Sequence, residues 1–275
     1  MSEPPRIYPS RHAWPISTDN LDNTPRNAER IRLVNRATGF DKLSEFKSLK
    51  ALWCFGIDQK KLIHISECAS LCNLYLDYQL RIDDLLPLQR LPRLDVLRLD
   101  SCSKITSLQQ ISDLRQLTGL AIENFKNVHE IQPLSVLTNL KELAIEGSIW
   151  TRMKIDSLGP IMNLTSIEFL SLTNLKVADE SLKPLATLTR LRELHVANFY
   201  PFEEFARLAA ALPQCKCQWF TPYVSTSLKC EKCNDNRVLV TGKGKSLMCV
   251  RCDAARLARH VADFERIKNS SREEF

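Results

Sequence analysis

Residues 131–145 read IQPLSVLTNLKELAI and contain the pattern that decides the fold of this chain. The second half of the stretch follows the spacing L-x-x-L-x-L, with apolar residues at Leu140, Leu143 and Ile145. A second apolar set with intervals of three residues precedes it, at Ile131, Leu134 and Leu137. The first pattern predicts a short strand, and the second predicts a return segment that packs beneath the strand.

The L-x-x-L-x-L pattern recurs along the chain in steps of 21 to 27 residues. Its first positions are Ala28, Leu49, Leu71, Leu94, Leu117, Leu140, Ile167 and Leu191. One unit of this size cannot bury its own leucines, whereas stacked units share a continuous core. An ordinary α/β domain would not keep a period of about 23 residues. The sequence therefore predicts an α/β solenoid whose strands align as a parallel sheet on the concave side of an arc.

Residues 131–143 resemble the short leucine-rich repeat of bacterial internalins and related proteins. The resemblance covers roughly residues 28–200 and implies a leucine-rich-repeat arc. The chain departs from the family at the asparagine position of each turn, which here holds Gln79, Cys102, Phe125, Ser148, Leu175 and Phe199. Without an asparagine ladder, core packing must hold the turns.

Both ends of a solenoid expose core and need covering. Residues 1–27 contain five prolines, which predicts an N-terminal arm or cap that either lies over the first repeat or is partly disordered. Residues 203–212 place apolar side chains on one helical face before Pro213, which predicts a capping helix. We assign residues 28–220 to the repeat domain and residues 221–228 to a short linker.

Two C-x-x-C pairs form the strongest chemical signal: Cys230 with Cys233, and Cys249 with Cys252. Four thiolates at this spacing favour one tetrahedral zinc ion, with iron as the less favoured metal. Because protein fills all four positions, we predict a structural zinc, one per chain. The order of hairpin and helix in residues 228–268 resembles a treble-clef or GATA-like zinc finger, with a zinc ribbon as the near alternative. Buried or redox-active cysteines are the other interpretation, but so small a segment has little core without a metal.

Alternation along the strands places two columns of side chains on the concave surface. The first column holds Trp53, Tyr75, Arg98, Ala121, Ala144, Ser171 and His195, and the second holds Phe55, Asp77, Asp100, Glu123, Glu146, Thr173 and Ala197. These columns predict an acidic stripe beside an aromatic patch that includes Tyr78. Such a surface would bind a protein partner with a basic or mixed surface. Alternatively, the polar positions are solvated and the aromatic side chains pack under the N-terminal arm.

Composition excludes several other classes of function. The chain has 275 residues, of which 44% are apolar and 25% charged, and its formal charge of +6 lies at its two ends. Residues 221–275 carry 11 basic and 7 acidic groups, which allows only weak nucleic-acid contacts, at Lys243, Lys245, Arg256 and Arg259. We find no nucleophile motif, phosphate loop or open metal site, and therefore expect neither catalysis nor a small-molecule substrate.

No apolar run reaches about 18 residues, so no membrane partner is expected. Ten cysteines without a recognisable signal peptide favour reduced thiols and a cytoplasmic protein. The function predicted from the sequence is a non-enzymatic protein–protein interaction scaffold that uses the concave face and carries a structural zinc module. The alternative is a nucleic-acid-associated protein that binds through the zinc finger.

Overall fold

The computed structural model describes residues 5–78 and 80–272, in which a parallel nine-stranded sheet is the main element. The strands of this part of the chain are β1 (Thr18–Asn20), β2 (Arg30–Thr38), β3 (Ala51–Phe55), β4 (Asn73–Asp77), β5 (Val96–Asp100), β6 (Gly119–Glu123), β7 (Glu142–Glu146), β8 (Met153–Ile155), β9 (Phe169–Leu172), β10 (Leu175–Val177), β11 (Glu193–Val196), β12 (Tyr223–Lys229), β13 (Asn236–Val240) and β14 (Leu247–Cys249). The large sheet follows chain order from β1 to β7 and continues with β9 and β11, while β8 and β10 pair separately.

The return segments are mostly short 3₁₀ helices, and one unit uses the α-helix α1 (Gln59–Ser66) instead. The 3₁₀ helices of the described residues are Arg11–Ala13, Leu21–Asn23, Phe40–Glu45, Leu86–Arg90, Gln109–Ile111, Gln132–Val136, Gly159–Asn163 and Lys183–Thr187. Several of them carry proline in the first turn, where the ring presets the backbone angle and no donor is lost. These compact segments form the side of the arc opposite the sheet.

Leucines of the repeated pattern form the core between the strands and the return segments. Leu97, Leu120 and Leu143 pair in register across β5, β6 and β7, and all three are fully buried. At the turn positions that lack asparagine, Cys102 and Phe125 are also fully buried, so apolar packing stabilises these turns. Gln79, at the same turn position, lies outside the described residues. The predicted solenoid arc with a parallel concave sheet is confirmed.

The repeat array ends with the helix α2 (Phe202–Ala211). The C-terminal segment after it consists of a small antiparallel sheet of β12, β13 and β14, followed by the helix α3 (Ala254–Arg272). The linker predicted at residues 221–228 is wrong, because most of it belongs to β12. This strand pairs with β13, and the Thr226 hydroxyl donates to the Arg237 carbonyl oxygen at 2.7 Å. The hydroxyl residues that indicated a linker therefore serve as strand residues with cross-strand hydrogen bonds.

Helix α3 packs against the end of the repeat array. Phe264 is fully buried and belongs to the same apolar cluster as Phe205 and Trp219 of the repeat end. His260 of α3 is buried, although basic residues surround it in the sequence. Its Nε2 lies 3.0 Å from the Pro222 carbonyl oxygen, so the ring is held against the repeat end. Among residues 5–78 and 80–272, no helix combines the length and apolar character of a membrane span.

Candidate functional site

The N-terminal residues 5–14, which we call the arm, cross the concave face of the sheet. Ile7 of the arm is fully buried in an apolar cluster that includes Val96, Ala121 and Ala144 of β5 to β7. Trp14 lies with its ring centroid 5.5 Å from those of Trp53 and Tyr75. Because the arm covers them, Trp53 and Tyr75 are only 4% exposed each. Two members of the aromatic patch predicted from the sequence, Trp53 and Tyr75, therefore do not lie open on the surface but pack under the arm, as in the alternative arrangement.

Polar contacts fix the arm over the middle of the sheet. The Arg6 guanidinium lies 2.6 Å from an Asp95 oxygen and 3.6 Å from a Glu142 oxygen. The Ile7 backbone N–H donates to the second Glu142 oxygen at 3.0 Å, and the Tyr75 hydroxyl donates to the Arg6 carbonyl oxygen at 2.9 Å. The arm thus reaches well beyond the first repeat, to which the sequence assigned it.

Tyr8 extends the contact of the arm towards the last repeats. Its ring packs edge-on against Phe169, with centroids 6.0 Å apart, and the Arg98 guanidinium lies 5.5 Å from its centre. Burial raises the pKa of the Tyr8 hydroxyl, and the nearby Glu146 carboxylate adds to this shift. The hydroxyl therefore stays protonated at neutral pH. Sequence reasoning missed the arm contacts, because residues 5–14 carry no periodic signal.

The acidic row, defined as Asp77, Asp100, Glu123 and Glu146, lies at the carboxyl ends of neighbouring strands. The Arg98 guanidinium lies between two members of the row and forms an ion pair with each. Its Nε is 2.9 Å from an Asp77 carboxylate oxygen, and its Nη2 is 2.6 Å from a Glu123 carboxylate oxygen. Burial raises the pKa of the Asp77 and Glu123 carboxyl groups, and Arg98 acts against that shift. The predicted acidic stripe is therefore not uniformly exposed, because Asp77 and Glu123 belong to a half-buried ion network with Arg98.

The remaining predicted contact residues occupy varied environments. Asp100 accepts a hydrogen bond from the Ser101 hydroxyl at 2.6 Å and stays partly exposed. Glu146 accepts from the Ser171 hydroxyl. Phe55 is partly buried beside Trp53, with ring centroids 5.3 Å apart, whereas Tyr78 is 53% exposed at the end of β4. Asp100, Glu146 and Tyr78 thus form the more accessible part of the rim of the concave face.

The four predicted metal ligands lie together at the far end of the chain. The Sγ atoms of Cys230, Cys233, Cys249 and Cys252 all lie within 4.8 Å of one another. The Sγ atoms of Cys230 and Cys252 lie 3.9 Å apart, and the Cys233 Sγ lies 3.4 Å from those of Cys249 and Cys252. A tetrahedral zinc with Zn–S bonds of about 2.3 Å separates its sulfur ligands by about 3.8 Å. The cluster therefore fits one tetrathiolate ion.

Backbone hydrogen bonds shape the two turns that present the thiols. The Cys230 N–H donates to the Asp235 carbonyl oxygen at 2.8 Å, and Asn234 adopts a left-handed conformation with φ 57°. In the second turn the Asp253 carboxylate accepts from the Cys249 N–H at 2.9 Å. Backbone N–H groups of the first turn lower the pKa of the Cys230 thiol to about 7. The first turn thus favours the thiolate of Cys230, whereas hydrogen bonding with the Cys233 thiol raises the pKa of Cys252 to about 12.

The basic side chains proposed for nucleic-acid contact do not form one patch. Lys243 forms an ion pair with Glu180, and Lys245 lies 5.1 Å from the centre of the Phe202 ring. Arg256 pairs with the preceding Asp253 at 3.1 Å, and Arg259 is exposed on α3. Three of the four cations are therefore engaged within the protein, which is unlike the continuous basic stripe of a phosphate-binding surface.

No protein-family profile matches this chain, and no curated protein matches it either. Among solved structures, internalin C2 of Listeria monocytogenes is similar over 65% of this chain and 73% of its own, with 23% identity and a TM-score of 0.48. An internalin of the same organism, InlF, matches over 69% of this chain and 60% of its own, with 16% identity and a TM-score of 0.48. A leucine-rich-repeat protein of Leptospira interrogans matches over 64% of this chain and 50% of its own, with 20% identity and a TM-score of 0.46.

The described strands themselves define the class of fold. Parallel pairing in constant register, with the repeated leucines buried and short return segments opposite, is the architecture of a leucine-rich-repeat solenoid. A compact cysteine cluster that is compatible with a metal ion follows at the C-terminal end of the array.

Proposed function

We propose that the protein is a non-enzymatic interaction scaffold that binds a protein partner along the rim of its concave face. The acidic row carries this proposal, because it aligns four carboxylates on adjacent strands against the single charge of Arg98. Neighbouring strands lie about 4.8 Å apart, so the surplus negative charge extends over about 15 Å. Such a row favours a partner with a basic or mixed surface and speeds its association.

Asp100 is the position at which this proposal can be tested most cleanly. Asp100 is partly exposed and accepts a hydrogen bond from the neighbouring Ser101 hydroxyl, whereas Asp77 and Glu123 form ion pairs with Arg98. We expect Asp100→Lys to lower the association rate with the partner about tenfold at low salt and to leave folding unchanged. Asp113→Lys, which reverses an exposed carboxylate in a return segment, is the matched control.

The experiment compares proteins crosslinked to the wild type and to both variants after nuclease treatment. Partners that are lost with Asp100→Lys but kept with Asp113→Lys support the proposal, and purified partners then give association rates as a function of salt. Identical sets of captured proteins for all three chains would contradict it. Partners that disappear on nuclease treatment would instead favour the nucleic-acid alternative, to which the contacts of Lys243, Lys245 and Arg256 lend no support.

The proposal includes a structural zinc, one per chain, held by the four clustered cysteines. When bound, the ion would supply cross-linking and no chemistry, since four protein ligands leave no position for a substrate. Elemental analysis of the purified chain is expected to give close to one zinc. Cys249→Ser should lose it, whereas Cys72→Ser, which lies in the repeat array, should retain it. Full metal content in the Cys249 variant would refute the assignment.

A reducing compartment suits this site, because it keeps the four cysteines from forming disulfides and so leaves them available as metal ligands. We therefore retain the cytoplasm as the proposed location. The proposed role involves neither a membrane nor a small-molecule substrate. The division into residues 1–27, 28–220 and 228–268 stays a prediction, which limited proteolysis with mass spectrometry would check.

A further inference from the structure

The arm occupies the concave face in the way that a bound peptide would. Residues 6–8 lie over β5 to β9, in the middle of the sheet, whereas the first end of the array is already covered by β1 and the fully buried Leu21. A terminal cap does not need to reach so far. The placement of Arg6, Ile7 and Tyr8 therefore calls for a role other than closing the end of the solenoid.

We propose that the arm is a displaceable occupant of a peptide-binding groove. The groove binds an extended partner segment that carries a cationic, a branched aliphatic and an aromatic side chain in succession, and Arg6, Ile7 and Tyr8 fill it when no partner is bound. This inference rests on the proposed function and adds to it the chemistry of the partner and the means by which binding is regulated.

The first subsite recognises a cation. Asp95 and Glu142 flank the Arg6 guanidinium, and the Thr118 hydroxyl accepts from its Nη2 at 2.5 Å. Because the Arg6 side chain is 45% exposed, these contacts give orientation more than affinity. A lysine or arginine of a partner segment can make the same contacts.

The second subsite is an apolar notch shaped by small residues. The first concave column changes from Trp53 and Tyr75 to Ala121 and Ala144, and this change leaves room for the buried Ile7 side chain. A Cβ atom added at Gly119 would lie 3.0 Å from the Ile7 side chain, so the strand surface is fitted closely to it. The notch selects a branched aliphatic side chain.

The third subsite receives the aromatic ring. Phe169 supplies an edge-on contact to Tyr8, and the Arg98 guanidinium lies over the Tyr8 ring, 5.5 Å from its centroid. Glu146 and Ser171 are the polar groups near the hydroxyl. Since Glu146 also belongs to the acidic row, a partner on the rim can extend directly into this groove.

The arm is attached by a few contacts that a competing segment can replace. Within the described residues, 5–14 contribute no strand to the sheet. The main-chain hydrogen bonds of this segment with the sheet involve the Glu142 carboxylate, the Tyr75 hydroxyl and the Arg30 guanidinium, which donates to the Ala13 carbonyl oxygen at 2.8 Å. Ile7 packs in a cluster separate from the leucine core of the solenoid. Detaching the arm therefore leaves the core of the array intact.

The test measures binding of a labelled peptide with the sequence of residues 5–14 to the full chain. The wild-type chain is compared with Ile7→Asp, in which a buried charge detaches the arm, and with Ile7→Ser as a milder variant. An attached arm acts as a competitor at an effective concentration of the millimolar order. We therefore expect the peptide to bind the Ile7→Asp chain at least about tenfold more tightly than the wild type by fluorescence anisotropy.

Matched controls identify the groove as the site. A peptide with aspartate at the isoleucine position should not bind, and Ala121→Leu combined with Ile7→Asp should abolish binding by filling the notch. Circular dichroism shows that each chain is folded. Hydrogen exchange of residues 5–14 should be faster in the Ile7→Asp chain than in the wild type.

Three results would overturn the proposal. Folded Ile7→Asp and Ile7→Ser chains that fail to bind the peptide would show a purely structural arm, and equal affinity for all chains would show a different site. A wild-type dimer that Ile7→Asp splits into monomers would show that the arm occupies a second copy. The peptide assay uses no cellular partner, and Asp100→Lys leaves the arm contacts in place, so failure of this inference is distinguishable from failure of the proposed function.

Discussion

Removal of the Arg98 guanidinium is the most informative perturbation of the concave face. In Arg98→Met the side-chain volume is largely kept, while Asp77 and Glu123 lose their shared cation. Their side chains are only 13% and 22% exposed, so the two charges stay poorly hydrated. Asp100 and Glu146 lie next to them and add repulsion. The variant therefore tests whether Arg98 is needed to hold the acidic row in the folded chain.

The magnitude follows from the geometry. Contacts of 2.9 and 2.6 Å imply charge separations near 4 Å, each worth about 4 kcal/mol at an effective dielectric constant of 20. Burial of the Arg98 guanidinium offsets part of this gain. Loss of one partner from such a network costs about 3–5 kcal/mol, because it leaves uncompensated charge behind. We expect the free energy of unfolding to fall by that amount at pH 7.

The pH dependence has a definite sign. Burial already raises the pKa of both carboxyl groups, and loss of Arg98 raises these values further in the folded chain. The folded state of the variant therefore binds protons more tightly than the unfolded state does. The loss of unfolding free energy caused by Arg98→Met is therefore small below about pH 4, near the carboxyl pKa of the unfolded chain. It is complete above the raised carboxyl pKa values of the folded variant. At pH 4.5 the loss should be about half of that at pH 7, or less.

Urea unfolding followed by circular dichroism at both pH values measures these losses relative to the wild type at the same pH. Any change at the cysteine cluster then cancels in the comparison. Adding Asp77→Asn and Glu123→Gln to the variant should recover most of the loss, and Arg115→Met on the outer surface should change stability by about 0.5 kcal/mol or less. Equal losses at the two pH values, together with no recovery by the amide pair, would refute the reasoning.

Two further predictions concern packing and thiol reactivity. Gly147→Ala should destabilise the chain by about 1–3 kcal/mol in thermal unfolding, because a Cβ atom there would lie 2.3 Å from the Asn174 carbonyl oxygen. Gly159→Ala, where the nearest atom to an added Cβ lies at 3.5 Å, should change stability little. Equal losses of stability in the two variants would contradict the clash at Gly147. Cys54 and Cys102 should resist iodoacetamide at pH 8, because burial raises the pKa of both thiols, and mass spectrometry that finds them alkylated in the native chain would show that the core opens.

Local periodicity explains how much of the fold the sequence could predict. Each repeat carries its own strand and return segment, so the leucine spacing fixes the register of neighbouring strands. Trp53, Tyr75 and Arg98 were assigned to one concave column from that spacing, and they are paired in β3, β4 and β5. The four cysteines were likewise grouped by spacing within two short turns.

Contacts between distant segments carry no such signal. Arg6 and Asp95 are 89 residues apart, and Ile7 and Glu142 are 135 residues apart. No local pattern relates these positions, so the groove under the arm could not be found from spacing. The burial of His260 was missed for the same reason, because it depends on Pro222 of another segment. Helical periodicity alone does not show which part of the protein covers a helix face.

The fully buried Phe264 has a consequence for how copies of this protein associate. It packs on the apolar surface around Phe205 and Trp219, so α3 caps the last repeat. The cysteine turns directly precede α3, so we expect removal of the proposed metal to loosen the packing of this helix on the repeat end. An uncovered apolar repeat end is a surface on which a second chain can pack. On the proposed zinc assignment, chelation is expected to expose this repeat end and to promote association of chains, which light scattering would reveal.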